Sequence, residues 1–570
     1  MSCRPFRALA SWVALVALVV HPTFTVSAAQ APARPRAARQ ARAADQGPAV
    51  RLVLLVAVDQ FRADYFWRFG PPKAGFRTLL TRGAVFTDAH LEHGHTVTAV
   101  GHSTMLTGAT PSISGIIDNA WYERSSHAMV ESITDKTVQV VGGNENAGIG
   151  ASPRRLLVTT LGDQLKLASR EEAGVPGAPR VIGISIKDRS AILPAGHAAD
   201  AAYFFRGGRF VTTTYYRDAL PPWVEAVNAR HIPDSYAGKQ WRFDGGMHAY
   251  PGEPGSALNT AVLASPAGNE LVLAMARSAL EHEQLGQRGV TDVLTVSFSS
   301  NDSVGHTYGP ESPEVREMTI QTDRQIEELL AEVDRRVGLA HVLVAFTTDH
   351  GVAPTPEVAA RRRVPGGRFQ TRELTDAVDA ALDARFGEGA WIERTALPHI
   401  YLDHALMASR GVDAAEARAV AADAASAVRP VARVYTRDAI LSGQMSTDLI
   451  SARVTRAYHR QRSGDLHVVL EPLWMTAGAG TTHGTPYSYD AHIPLILMGP
   501  GVAAGTYHER AALNDLAPTL AALLGVEPPT GSQGRVLGEA LRSGAGAARP
   551  AAHTTEAPLS VPGAVFRTAP

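Results

Sequence analysis

Three apolar runs along the chain each lead into acidic or histidine residues. Continuous apolar runs of this length are typical of strands that are buried on both faces of a parallel sheet. In open α/β sheets, ligands sit outside the carboxyl ends of the strands. We therefore expect the three strand ends to meet at one site. The runs and the residues that follow them are 53–58 with Asp59, 293–298 with Asp302 and His306, and 342–346 with Asp349, His350 and Gly351.

Amphipathic stretches between these runs predict helices. Apolar residues recur at helical spacing over residues 269–284 and Pro313–Arg336. Two later apolar runs, Leu466–Leu470 and 493–498, are expected to resume the sheet, and residues 513–524 are expected to form a helix. Alternating strands and helices predict an α/β fold, in which a doubly wound, mostly parallel sheet carries helices on both faces.

Weakly patterned regions indicate where the main domain is interrupted. Residues 190–260 are rich in Gly, Tyr and Trp, and residues 361–465 contain two Ala-rich helical stretches. We interpret both regions as cap insertions in one main domain that covers residues 50–541. Residues 30–49 are predicted to form a disordered linker and residues 542–570 a disordered tail, because both are rich in small residues and lack apolar periodicity.

Residues 1–29 have the layout of a secretory signal peptide. Arg4 and Arg7 precede an apolar run at residues 8–20, and small residues follow at 27–29. The run is short for a membrane-spanning helix, which needs about 20 residues; an uncleaved anchor is the alternative. The one cysteine, Cys3, lies inside this segment. A mature protein without disulfides is compatible with a periplasmic or secreted location. After cleavage of the signal peptide, we expect no association with a membrane.

Composition and charge narrow the class of protein. Hydrophobic residues make up 45% of the chain and charged residues 19%, which is typical of a globular protein. The formal net charge is −1, so the chain has no basic excess of the kind that a nucleic-acid partner favours.

The residues at the strand ends are oxygen and nitrogen ligands without sulfur. Zinc accepts this mixture, and carboxylate-rich sites also bind manganese or magnesium. His483, in a Gly-rich segment, is a sixth candidate. Taken alone, each acid is explained by a helix cap or a turn, and His483 by a satisfied loop position. The combined pattern is not required by caps, and six ligands suit two metal ions with three ligands each.

Thr98 is the candidate nucleophile. Residues 99–105 are expected to begin a helix, which would place Thr98 near free N–H groups that favour anions. Lys187 and Arg189 follow a predicted strand and can point the same way from an extended chain, where they suit the oxygens of a phosphate dianion. Asn119 offers an amide donor. The alternatives are that Thr98 is only a helix cap, that Lys187 and Arg189 are a solvated surface pair, and that Asn119 is a turn residue.

Together these motifs resemble the alkaline phosphatase superfamily, and in particular its bacterial monomeric branch with a threonine nucleophile, the phosphate-irrepressible alkaline phosphatases. That branch is related to the nucleotide pyrophosphatase/phosphodiesterases. The resemblance covers roughly residues 51–541. Its most specific parts are Val58-Asp59-Gln60-Phe61-Arg62, Thr96-Val97-Thr98-Ala99-Val100-Gly101-His102, Lys187-Asp188-Arg189, Asp302-Ser303-Val304-Gly305-His306, Thr348-Asp349-His350-Gly351 and Thr482-His483-Gly484.

The resemblance implies a role for each candidate residue. Asp302, His306 and His483 would hold one zinc ion, and Asp59, Asp349 and His350 the other. Thr98 would be transiently phosphorylated, and Asn119, Lys187 and Arg189 would bind the phosphoryl oxygens.

The resemblance also implies an activity: a monomer that hydrolyses small-molecule phosphate monoesters of broad range by two in-line displacements. Relatives that hydrolyse diesters lack the Lys187–Arg189 pair, which supplies cationic partners for the extra charge of a monoester. A phosphodiesterase or nucleotide pyrophosphatase on the same fold, and a non-catalytic, metal-stabilised periplasmic binding protein, are the alternatives.

Overall fold

The computed structural model describes residues 49–143, 148–169 and 177–542. The predicted signal peptide and nearly all of the predicted linker and tail lie outside these residues. Among the residues described, no helix is both long and apolar enough to cross a lipid bilayer.

A ten-stranded sheet forms the centre of the described chain. Its strands are β1 Leu52–Val58, β2 Ala84–Phe86, β3 Val140–Val141, β4 Val181–Ser185, β5 Ala201–Arg206, β6 Arg209–Thr213, β7 Asp292–Phe298, β8 Val342–Thr347, β9 Leu495–Met498 and β10 Gly505–Tyr507. Their spatial order is β10-β2-β9-β8-β1-β7-β4-β5-β6-β3. The five neighbouring strands from β8 to β5 are all parallel. Strand β9 pairs antiparallel with β8 and β2, and β6 pairs antiparallel with β5 and β3.

Both faces of the sheet are covered by helices, as the alternation of β1 shows. Leu52, Leu54, Val56 and Val58 belong to one apolar core, and Val53, Leu55 and Ala57 belong to the other. Successive strand side chains point to opposite faces, so a strand buried on both faces is apolar throughout. The predicted doubly wound α/β fold is confirmed. The helices that cover the faces are α1 Gly75–Arg82, α2 Thr98–Thr107, α3 Leu161–Ala168, α4 Asp188–Ala195, α5 Pro266–His282, α6 Ser300–Tyr308, α7 Pro313–Arg336 and α8 Leu516–Leu524.

The region predicted as a first cap, residues 190–260, is partly in the central sheet. Strands β5 and β6 come from it, and β5 pairs in parallel with β4. The remainder, including the helices Pro222–Asn228 and Ser256–Leu263 and the hairpin Gln240–Phe243/Gly246–Ala249, packs Trp223, Trp241 and Leu258 into the core of one sheet face. The weak apolar periodicity reflects short elements rather than an insertion throughout.

The region predicted as a second cap contains a separate sheet. Four antiparallel strands, Ile392–Ala396, His399–Leu402, Leu466–Leu470 and Val431–Thr436 in spatial order, pack with the helices Thr371–Phe386 and Ala414–Ala427 around their own apolar cluster. The expectation that Leu466–Leu470 resumes the central sheet is wrong. A short apolar run shows that a strand is buried but does not select its partner, and only residues 495–498 of the later run return to the central sheet.

Shorter elements connect these layers. They are the helices Tyr65–Arg68, Pro111–Ser114, Pro356–Arg361, His404–Ser409, Arg437–Ser442, Leu449–Ala457 and Ser488–Ala491, and the strands Ala89–His90, Ala120–Glu123, Ala128–Glu131, Gly367–Arg368, Trp474–Met475 and Ala511–Ala512.

Candidate active site

The register of the central strands aligns three carboxyl ends. Ala57 of β1 pairs with both Ser297 of β7 and Thr347 of β8. Asp59 follows directly after β1, and Asp349 and His350 follow β8. Asp302 and His306 lie on α6, which begins just after β7, and they are one turn apart, so they lie on the same side of that helix. His483 reaches the same place from a loop. The structure thus brings all six candidate ligands together.

The three histidines share one hydrogen-bonding arrangement. The Nδ1 atom of His306 lies 2.8 Å from the Thr481 carbonyl oxygen, that of His350 3.0 Å from the Gly351 carbonyl oxygen, and that of His483 2.7 Å from the Thr96 carbonyl oxygen. A carbonyl oxygen accepts only, so each Nδ1 carries a proton, and in the neutral imidazole Nε2 then keeps its lone pair. Metal-binding histidines are commonly oriented in this way.

One group of ligand atoms contains Asp302, His306 and His483. The Nε2 atoms of His306 and His483 are 3.2 Å apart, and they lie 3.2 and 3.7 Å from Asp302 Oδ1. The ligand atoms of Asp59, Asp349 and His350 form a second group and lie within 4.8 Å of one another. The ring of His350 stacks on that of His483 with 3.5 Å between centroids, and its ligand atom also lies within 4.8 Å of those of Asp302 and His483. His350 therefore joins the two groups.

Negative charge at this site exceeds positive charge. Asp59, Asp302 and Asp349 are all at most 6% exposed. Lys187 is the ammonium between them, with its Nζ 2.8 Å from Asp59 Oδ2 and 2.6 Å from Asp302 Oδ2. Asp59 Oδ1 and Asp349 Oδ2 are buried without a hydrogen-bond partner. Buried carboxylate oxygens in this state are normally paired or bound to a metal ion, so the donor set fits divalent cations.

The same charges shift the pKa values of the carboxyl groups in opposite directions. Burial raises the pKa of Asp59, and the neighbouring Asp349 raises it further. Burial also acts to raise the pKa of Asp302, but Lys187 and His306 outweigh it and hold that pKa well below its usual range. Burial lowers the pKa of both His350 and His483. Both imidazoles are therefore neutral at pH 7, which is the form that binds metals.

Thr98 is the first residue of helix α2, which agrees with its predicted place at a helix N-terminus. The side chain is buried, and its Oγ1 lies 3.5 Å from His350 Nε2. The hydroxyl is therefore beside the candidate metal ligands. Two other hydroxyl groups of this segment, those of Thr104 and Thr107, donate hydrogen bonds to carbonyl oxygens within it.

Asn119 is held with its amide group in one orientation. The Ala99 backbone N–H, in the first turn of α2, donates to Asn119 Oδ1 at 2.8 Å. The amide nitrogen is thus left as the donor for a ligand. The preceding residue, Asp118, accepts from the Asn119 backbone N–H at 2.6 Å and lies 2.9 Å from His95 Nε2.

Lys187 and Arg189 leave the backbone differently from what the sequence predicts. Lys187 is the last extended residue before α4, and Arg189 is in the first turn of that helix, so the two do not project together from one extended strand. Lys187 contacts carboxylates, as described above. Among the described residues, the one acid within 4.0 Å of the Arg189 guanidinium is Asp188, and the Arg189 Nε is buried without a hydrogen-bond partner. Arg189 is therefore a cation available to an anionic ligand.

Three further residues support the site. His102 places its Nδ1 3.0 Å from the Thr98 carbonyl oxygen, and the same atom lies 3.2 Å from Asp349 Oδ2, so His102 packs against a candidate ligand without joining either group. The Thr348 hydroxyl accepts from the Phe61 N–H at 3.0 Å. Gln60 donates to Asp302 and to Asp349. Gln60 and Thr348 lie in two of the motifs that carry the family resemblance, but the sequence does not indicate these contacts.

Comparison with known proteins places this site in a family. The family model for type I phosphodiesterase / nucleotide pyrophosphatase matches residues 53–492, which include all six candidate ligands and Thr98. The chain belongs to that family. Its extended similarity to alkaline phosphatases places it in the alkaline phosphatase branch related to the nucleotide pyrophosphatases.

The similarity between this chain and three relatives extends over most of this chain and nearly the whole length of each relative. Alkaline phosphatase PafA of Elizabethkingia meningoseptica is 32% identical over 526 residues, which are 87% of this chain and 95% of the relative. Alkaline phosphatase PhoV of Synechococcus elongatus is 32% identical over 86% of this chain and 93% of the relative. A protein of Myroides odoratus that bears the name calcium-transporting ATPase is 33% identical over 86% of this chain and 94% of its own.

The solved structure of PafA has the same fold. It superposes with a TM-score of 0.80 at 31% identity, over 87% of this chain and 99% of PafA. A PafA variant with substitutions at a threonine, an asparagine, a lysine and an arginine has also been solved and gives the same TM-score.

Proposed function

We propose that this protein is an exported, zinc-dependent alkaline phosphatase that hydrolyses a broad range of phosphate monoesters through a phosphothreonine intermediate. Its membership of the alkaline phosphatase branch supports phosphomonoester hydrolysis. One observation supports the metal requirement. Three histidines, each with its Nδ1 on a backbone carbonyl oxygen, direct their Nε2 atoms towards three buried carboxylates.

Asp302, His306 and His483 would hold one zinc ion, and Asp59, Asp349 and His350 the other. When bound, two such ions lower the pKa of a coordinated hydroxyl and stabilise charge on the attacking and leaving oxygens. The Thr98 hydroxyl lies beside these ligands at the start of α2, where the helix N–H groups favour an anion. Thr98 Oγ1 attacks phosphorus and the ester oxygen leaves. Water then breaks the Thr98–phosphate bond and releases phosphate.

The remaining polar groups bind the phosphoryl oxygens. Asn119 offers its amide N–H groups, since its oxygen is occupied by Ala99. Lys187 and Arg189 supply positive charge, and a monoester dianion benefits from two cations more than a diester monoanion does. The four residues substituted in the PafA variant support this assignment: its threonine and asparagine are 21 positions apart and its lysine and arginine two apart, the separations of Thr98 from Asn119 and of Lys187 from Arg189.

The test is a paired ester assay on the full mature chain. p-Nitrophenyl phosphate and bis-p-nitrophenyl phosphate are supplied to protein treated with a chelator and to the same protein after zinc is restored. We expect loss of activity on chelation, recovery with zinc, a higher kcat/KM for the monoester, and about two zinc ions per chain by elemental analysis. A higher kcat/KM for the diester would favour the phosphodiesterase alternative, and full activity without metal would contradict the proposal.

A further inference from the structure

Gln60 contacts the carboxylates of both ligand groups. Its backbone N–H donates to Asp349 Oδ1 at 3.1 Å, and its side-chain Nε2 donates to Asp302 Oδ1 at 2.7 Å. Gln60 is 2% exposed and directly follows the third carboxylate, Asp59. A single residue thus connects all three acids of the site.

Gln60 adopts a backbone conformation that residues with a Cβ rarely take. Its φ is +61°, in the left-handed region. The turn is held by the Phe61 N–H, which donates to the Thr348 hydroxyl at 3.0 Å. Space for the side chain comes from Gly305, where a Cβ would lie 1.8 Å from Gln60 Oε1. The glycine of the Asp302-to-His306 segment is therefore needed for Gln60 to reach Asp302.

The two oxygens of Asp302 have different partners. Oδ2 accepts from the Lys187 ammonium at 2.6 Å. Oδ1 accepts from Gln60 and faces His306 Nε2 at 3.2 Å and His483 Nε2 at 3.7 Å. An ionised carboxylate oxygen has lone pairs for both an amide donor and a cation. The Gln60 amide therefore favours the carboxylate rotation in which Oδ1 faces the two histidines.

We infer that Gln60 is a positioning residue, whose amide holds Asp302 in its metal-binding orientation and whose turn connects that ligand group to Asp349. The inference rests on the proposed two-zinc function. Residues that orient a metal ligand typically change metal affinity by about 10- to 100-fold when they are replaced.

Two substitutions at position 60 remove the side-chain amide and leave the backbone turn in place. Gln60→Met keeps a side chain of similar length but removes the donor, and Gln60→Gly removes the side chain while accepting a positive φ. The matched controls are Gln284→Met and Gln284→Gly, because Gln284 is an exposed glutamine with a φ of +50°. The metal-free full chain of each variant is titrated with zinc against a chromophoric chelator, and its midpoint of urea unfolding is measured without metal.

Both Gln60 variants should lower one of the two zinc affinities by about 10- to 100-fold and leave the other within about threefold. The KM for p-nitrophenyl phosphate should stay near the wild-type value at saturating zinc, with activity recovering as zinc is raised. The Gln284 variants should bind zinc as the wild type does. Unchanged zinc affinities in both Gln60 variants would overturn the inference, as would an equal fall in both affinities accompanied by a lower urea midpoint.

Gly305→Ala provides a second test, because its methyl group would displace the Gln60 side chain. This variant should lower the same zinc affinity, and Gly305→Ala combined with Gln60→Gly should bind zinc no more weakly than Gln60→Gly alone. Additive losses would overturn the inference. A wild-type chain that binds fewer than two zinc ions would instead contradict the proposed function, and with it this inference.

Discussion

Gly101 packs directly against Asp349: a Cβ at Gly101 would lie 2.2 Å from the Asp349 carbonyl oxygen and 2.5 Å from the Asp349 Cβ. Gly101 is in the first turns of helix α2, which begins at Thr98. The absence of a side chain therefore sets how closely the helix that carries the candidate nucleophile approaches a candidate metal ligand.

Gly101→Ala should impair activity by moving α2 away from the ligands. Overpacking of this kind destabilises proteins by about 1–3 kcal/mol, and a displacement of about 1 Å at a reacting group can lower the rate by about 10²-fold. Steady-state kinetics with p-nitrophenyl phosphate and urea unfolding measure the two effects. Gly252→Ala is the control, because a Cβ there meets no atom within 4 Å; equal activities in the two variants would contradict this packing argument.

Thr98→Ala should lower kcat by at least about 10³-fold, because removal of a nucleophile eliminates the covalent route. Thr98→Ser keeps a hydroxyl on the same Cβ and should retain measurable turnover. Acid-quenched wild-type protein should contain a phosphorylated peptide that includes residue 98, detected by mass spectrometry. Wild-type turnover in Thr98→Ala, or phosphorylation at Thr96 instead, would refute the assignment.

Replacement of both Lys187 and Arg189 by alanine should reduce monoesterase activity far more than diesterase activity. Hydrogen bonds to charged groups contribute about 1.5–3 kcal/mol each, so the ratio of the two kcat/KM values should fall by about 10²-fold or more. The two p-nitrophenyl esters measure this ratio with saturating zinc. Equal losses on the two esters would show that the pair does not select for monoesters.

Lys187→Met should destabilise the metal-free protein much more than Arg189→Ala. The Lys187 ammonium is paired with two buried carboxylates, whereas Arg189 lies 4.0 Å from its nearest acid. Removing one partner of a buried ion pair costs about 3–5 kcal/mol. Urea unfolding with a chelator present measures the difference, which should narrow when zinc is added. Similar unfolding midpoints for the two variants without metal would contradict the prediction.

His93 should make the protein less stable as pH falls below neutrality. Burial lowers the pKa of His93 to about 3, and neither ring nitrogen has a hydrogen-bond partner. In the unfolded chain the pKa of histidine is about 6.5, so the unfolded state binds a proton that the folded state excludes. Between pH 7 and pH 5.5 this lowers the free energy of unfolding by about 1 kcal/mol.

His93→Phe removes that proton uptake while keeping a ring of similar size. Urea unfolding of the metal-free wild type and variant at several pH values should show a steeper decline for the wild type as pH falls. Parallel curves for the two proteins would show that His93 titrates alike in both states.

The central sheet and the meeting of the candidate ligands at one place follow from local patterns in the sequence. Strands such as β1 are apolar at every position, and most of the candidate ligands come directly after such strands or on the helix that follows. The position of Thr98 at a helix N-terminus follows in the same way from its own segment. These features depend on residues that are neighbours in the sequence, so a local pattern is enough to predict them.

The features that could not be predicted depend on partners that are distant in the sequence. The apolar run Leu466–Leu470 suits a strand of the central sheet and a strand of the separate four-stranded sheet equally well. Its pairing with His399–Leu402 and Val431–Thr436 places it in the four-stranded sheet. The sequence predicts only a phosphate-binding role for Lys187, because nothing near it in the sequence indicates its contacts with Asp59 and Asp302. Gln60 lies in a motif of the family resemblance, but its contacts with Gly305 and Asp302 involve residues that are distant in the sequence.

The distribution of the ligands along the chain has a consequence for assembly. The group formed by Asp59, Asp349 and His350 is complete as soon as β8 has joined β1. The group with Asp302 and His306 lacks His483 until the chain has passed through the separate four-stranded sheet and the loop that follows it. If both groups bind zinc as proposed, a growing or truncated chain would hold metal at the first group before the second exists. Acquisition of the second ion would then mark the point at which the part of the chain with the four-stranded sheet has packed onto the core.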